Sequence, residues 1–91
     1  MTFEFKPSFV RSIKQLPGAE KAAVKDVATR LMNALESHRD VCPGLGLKRL
    51  RNDIWEVRQG LKVRLLFRWA TDRVEFVLAG NHDDVKRFLK E

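Results

Sequence analysis

Cysteine is almost missing from this chain: Cys42 is the only one in 91 residues. A lone thiol closes no internal disulfide, so stability must come from burial, and a reducing compartment fits that usage. Cys42 near His38 lacks the paired spacing of a zinc site, which leaves a half-buried loop cysteine as the plainer reading. No apolar run approaches the roughly 20 residues that a membrane-spanning helix needs. The opening Met1-Thr2-Phe3-Glu4 also lacks the basic-then-apolar order of a secretory signal. A cytoplasmic protein is therefore expected. Repeats, low-complexity tracts and linkers are absent too, and a chain this short supports one modest core, so residues 1–91 read as a single domain.

What is present is charge of one sign in one place. The chain is 44% hydrophobic and 33% charged, too apolar for a disordered tail and too charged for a membrane protein, with a net charge of +6. Between Lys48 and Arg73 stand eight basic residues (Lys48, Arg49, Arg51, Arg58, Lys62, Arg64, Arg68, Arg73) against Asp53, Glu56 and Asp72. Such a segment attracts polyanions, with nucleic acid first and an acidic protein second. A solvated sheet face whose arginines serve only solubility is the alternative.

Periodicity lays out the elements. Thr2 to Lys6 alternates as a half-buried strand, which Pro7 ends. Ser8 is placed to cap a short helix with Phe9, Ile13 and Leu16 on one face, broken by Pro17-Gly18. From Ala19 to Glu36 the stripe Val24, Val27, Ala28, Leu31, Leu35 keeps helical period, and the two helices are expected to form an antiparallel hairpin over one sheet face. Ser37 to Asn52 reads as a loop around Cys42-Pro43-Gly44-Leu45-Gly46, followed by the basic run Lys48-Arg49-Leu50-Arg51. Three strands then form an antiparallel meander: Ile54 to Arg58, turned by Gln59-Gly60 into Lys62 to Trp69, and Arg73 to Ala79. In the last, Val74, Phe76 and Leu78 are expected on one face and Glu75 and Val77 on the other. Gly80 closes the sheet, and Asn81 is placed to cap a short final helix with Asp83 and Asp84 in its first turn and Lys86, Arg87 and Lys90 toward its end. Val85, Phe88 and Leu89 would dock that helix. The fold class is α+β.

This order, carried by Phe9 to Pro17, Gly46-Leu47-Lys48-Arg49-Leu50, Ile54 to Arg58 with Val63 to Phe67, and Ala79 to Val85, resembles the RelE/ParE superfamily of type II toxins across nearly the whole chain. The resemblance implies a RelE-like microbial RNase fold and, for RelE-type members, an mRNA interferase acting on the ribosome. It places Arg58 where those enzymes hold a phosphate-stabilising arginine, and it sets Lys48, Arg49 and Arg51 near their substrate-gripping cations. Arg64 and Arg68 follow as further phosphate contacts. Gly80-Asn81-His82 looks like the stretch that supplies a catalytic histidine in the YafQ-like branch. Two departures stand out. The chain has no tyrosine, so the tyrosine RelE uses near its C-terminus is missing and Phe88, a substrate-stacking candidate, stands near its place. The additional histidines of YafQ-like enzymes are also absent.

The implied chemistry is attack by the adjacent 2'-hydroxyl, which needs a base, a cation for the developing charge and an acid for the 5'-oxygen, with no metal or other cofactor required. His82 is the candidate acid or base, because a free imidazole titrates at about 6.5. Arg58 is the candidate charge stabiliser, through its planar fork. With only one titrating residue, the ribosome is expected to hold the messenger and lend groups of its own. The resemblance also implies an acidic antitoxin that covers the basic face or displaces the C-terminal helix. A gyrase-inhibiting ParE-like toxin and a catalytically reduced RNA-binding relative remain open, and so do bland roles: His82 bonding a carbonyl at a helix start, or Arg58 paired with Glu56 or Glu75.

Overall fold

The computed structural model describes residues 1–36, 46–58 and 62–90. Cys42 and His38, the loop around Pro43-Gly44 and the Gln59-Gly60 turn lie outside the described residues. The element order is β1 (Thr2–Phe5), α1 (Pro7–Lys14), α2 (Gly18–Glu36), β2 (Leu47–Arg51), β3 (Ile54–Val57), β4 (Arg64–Trp69), β5 (Arg73–Gly80) and α3 (His82–Lys90). The strands form one sheet in the order β1-β5-β4-β3-β2. Strands β2 to β5 run as an antiparallel meander, and β1 lies parallel to β5.

The expected three-strand meander thus gains a fourth strand, because the basic run is itself β2. Arg51 pairs with Ile54, so Asn52 and Asp53 make a two-residue hairpin turn. Asn52 holds a φ of 35°, a left-handed conformation that asparagine tolerates better than most residues.

Each face of the sheet carries its own core. On one side Phe9 and Ile13 of α1 and Val24, Val27, Ala28, Leu31 and Leu35 of α2 pack on Val57, Leu65, Phe67, Val74, Phe76 and Ala79. Phe76 is fully buried, with the Phe5, Phe9 and Phe67 rings at 5.2, 5.7 and 6.2 Å. Burying a side chain of this size contributes about 1.5–3 kcal/mol. On the other side α3 lays Val85, Phe88 and Leu89 on Ile54, Leu66, Val77, Leu78 and Leu50.

Leu78 departs from the expected alternation. Leu66 pairs with Leu78 but Phe67 pairs with Phe76, so Val77 is an extra residue in β5. The bulge moves Leu78 to the α3 side and returns Ala79 to the helix-hairpin side. It also leaves the Val77 carbonyl free to accept a hydrogen bond from Ser8 Oγ at 2.5 Å. Ser8 is therefore not the cap of α1. Lys6 holds that position without a side-chain bond, and Pro7 fills the first helical turn, where its missing N–H costs nothing. Ser12 makes a second stitch, its Oγ accepting from Ala79 N at 3.0 Å. At the outer edge Lys6 bridges Glu4 and Glu75 at 3.0 and 3.4 Å. Hydrogen bonding to Lys6, with its charge, holds the Glu4 carboxyl below the usual carboxylate range.

Asn81 caps α3 as expected, and reciprocally: Asn81 Oδ1 accepts from Asp84 N at 2.8 Å, while Asp84 Oδ2 accepts from Asn81 N at 3.0 Å. Gly80 makes this approach possible, since a Cβ there would sit 2.7 Å from Asp84 Cβ and 2.8 Å from its Oδ2. Gly80→Ala is therefore expected to lower stability by about 1–3 kcal/mol through overpacking at the cap, read as a lower urea midpoint with unchanged slope.

Candidate functional site

The basic segment divides once it is folded. Arg68 is held by Asp53 at 3.4 Å and Glu75 at 3.2 Å, and Arg73 reaches Glu4 and Glu75. Arg51 Nη2 donates to the Leu89 carbonyl and ties β2 to the end of α3. Arg49 pairs in register with Trp55, whose ring packs on the helix-hairpin core, so it lies on that face, away from α3. There its Nε donates to the Asn52 carbonyl at 2.6 Å and trims the hairpin turn. Among the residues expected to grip phosphate, Arg49, Arg51 and Arg68 make contacts that serve the fold. Phe88 is half-buried against the α3-side core, which limits the ring surface it offers for stacking.

A different set converges where β3 and β4 meet the start of α3. Arg64 stands opposite Gly80 at the head of β4, two residues from His82. Its Nη1 lies 2.8 Å from His82 Nδ1. A guanidinium has donors only, so Nδ1 must be the acceptor and the imidazole in this contact is neutral, with its proton on Nε2. The Arg64 Nε lies 3.4 Å from Glu56 Oε1. Glu56 is only 3% exposed, the one buried charged residue among those described. Its Oε1 has no hydrogen bond there, so the pair is held by charge rather than by an aligned N–H.

Lys48 is directly across from Glu56 on β2 and exposed. Arg58 lies one residue past β3, exposed, and the β3–β4 register continued by one step sets it opposite Arg64. The acids considered as its partners are engaged elsewhere, Glu56 with Arg64, and Glu75 with Lys6, Arg68 and Arg73. Lys48, Arg58, Arg64 and His82 thus share one end of the α3-side face, around a buried carboxylate. Exposed guanidinium and ammonium groups in such an arrangement can hold a phosphate at two or more oxygens, with an imidazole N–H alongside.

Glu56 is the member that reading the sequence did not assign to the site. Its only signal was position, on the same strand face as Ile54 and Arg58.

The described residues define a small α+β domain in which a helix hairpin covers one face of a meander and a C-terminal helix covers part of the other. That is the RelE-like type II toxin fold. The chain aligns with the RelB–RelE antitoxin–toxin complex from Methanococcus jannaschii at a TM-score of 0.71 and 16% identity, over 93% of this chain and 96% of that one. The RelBE2 toxin–antitoxin complex from Mycobacterium tuberculosis aligns at 0.67 and 23%, over 89% and 96%. YafQ from E. coli aligns at 0.67 and 15%, over 91% and 94%. No family model and no curated protein matches the sequence. At these identities the likeness is one of fold.

Proposed function

We propose that this chain is the toxin of a type II toxin–antitoxin pair and that it cuts messenger RNA on the ribosome. The observation that carries the reading is the cluster of Lys48, Arg58 and Arg64 around His82 on the exposed end of a RelE-like sheet. In the reaction the 2'-oxygen attacks phosphorus and loses its proton to a base. The bond to the 5'-oxygen breaks, and that oxygen takes up a proton. The products are a 2',3'-cyclic phosphate and a 5'-hydroxyl.

Arg58 meets the charge on the phosphoryl oxygens, and Lys48 grips a neighbouring phosphate. In the free protein Arg64 donates to His82 Nδ1. A bound phosphate draws the Arg64 fork toward itself and supplies negative charge, so the imidazole can carry a second proton and serve as the acid from Nε2. The ribosome holds the messenger in line and lends the groups that one histidine cannot supply.

The antitoxin of this reading is an acidic protein that occludes the basic face. Expression of the chain in a growing bacterium is expected to stop translation with cut messenger, and co-expression of the protein encoded beside it is expected to restore growth. Growth arrest with DNA-damage signals and intact messenger would favour a gyrase-type target instead. A stable complex that leaves the toxin fully active would count against occlusion.

A further inference from the structure

Glu56 is buried, charged and otherwise without employment. A carboxylate 3% exposed in a sheet costs desolvation unless something compensates, and among the described residues its ion-pair partner is Arg64, at 3.4 Å. Arg64 in turn touches His82 with another nitrogen of the same planar group. These two contacts, an ion pair to Glu56 and a short contact to His82, hold the guanidinium in the free protein, where no phosphate competes for it.

We propose that Glu56 is a positioning residue: its buried charge anchors Arg64, and Arg64 so anchored sets the ring of His82 with Nδ1 accepting and Nε2–H facing outward. This rests on the proposed ribonuclease site for its purpose but not for its test. The pair is poorly screened because Glu56 is buried, so its charge acts strongly at short range. Oε1 lacks an aligned hydrogen bond, so a neutral amide of the same shape loses the attraction with little change in packing. Arg64, one quarter exposed at its side chain, can then swing to water, and Nδ1 of His82 loses its donor.

The experiment compares wild type with Glu56→Gln by nitrogen-15 NMR of the His82 ring, assigned by the loss of its signals in His82→Gln. The spectra are taken at about pH 8.5, two units above the pKa of a free imidazole. Wild type is expected to show one dominant tautomer, protonated at Nε2, and Glu56→Gln a mixture. In an Arg64→Lys background, which keeps the charge but removes the fork, Glu56→Gln should change nothing further. Ribosome-dependent cleavage by Glu56→Gln should lose up to about 100-fold in kcat with KM nearly unchanged, as expected of a misplaced group rather than a lost grip.

An unchanged tautomer in Glu56→Gln overturns the proposal, even if the melting temperature falls, because a merely structural glutamate would do only that. An altered tautomer in a chain that cuts no RNA keeps the positioning role and removes the nuclease reading.

Discussion

Replacing His82 with Gln is expected to lower ribosome-dependent cleavage by roughly 100-fold to 10,000-fold while the protein stays folded. The amide keeps some hydrogen bonding toward Arg64 but cannot carry a proton to the 5'-oxygen. The first turn of α3 does not depend on the imidazole, because Asn81 and Asp84 make the reciprocal cap. A bland role at the helix start predicts the reverse pattern, a loss near 1 kcal/mol in stability with cleavage intact. Melting temperature and cleavage rate measured on the same His82→Gln protein separate the two, and an undiminished rate takes the histidine out of the mechanism.

Arg58→Ala is expected to reduce the bound cleavage rate by roughly 100-fold to 1000-fold, with a much smaller effect on ribosome association. Its guanidinium is exposed beyond β3, where it would meet charge that develops only as the phosphate is attacked. Lys48→Ala provides the contrast. An exposed ammonium across from Glu56 contributes a phosphate contact, so its removal should weaken binding and reduce the salt dependence while the bound rate stays nearly the same. Single-turnover rates at saturating ribosome, with binding measured at several salt concentrations, make the comparison. Equal weakening of binding by both changes would make Arg58 a grip.

Much of the architecture was legible because period is a strong signal. The stripe of α2, the alternation of β3 and β4 and the punctuation by Pro7, Gly80 and Asn81 each point to the element that forms. Strand β2 was harder to see, since Leu-Lys-Arg-Leu-Arg carries only two apolar residues and packs one on each face, Leu47 with one core and Leu50 with the other. The Asn52-Asp53 pair before Ile54 was the available clue to its hairpin. The bulge at Val77 had no such clue, because an extra residue in a strand carries no fixed residue type. Its consequence for Leu78 follows only from pairing with β4.

The site was legible in its members more than in its connections. Charge density picked out the segment, but ion pairing divides it: Arg68 is held by Asp53 and Glu75, partners 15 and 7 residues away in sequence. The contact of Arg64 with His82 spans 18 residues and depends on β4 and β5 lying side by side. Glu56 was read only as a possible partner of Arg58, because its burial depends on its sheet neighbours, and a glutamate between Trp55 and Val57 has the same local pattern whether its face is open or covered.

The cluster at the head of β4 is proposed to cut RNA. The most direct measurement maps messenger ends after purified protein is mixed with ribosomes translating a defined message, beside the same reaction with Arg58→Ala/His82→Gln. New 5'-hydroxyl ends within the translated region, paired with 2',3'-cyclic phosphates upstream and absent with the double variant, are the predicted result. Intact messenger with wild-type protein on translating ribosomes, or the same ends at the same rate from the double variant, would contradict it.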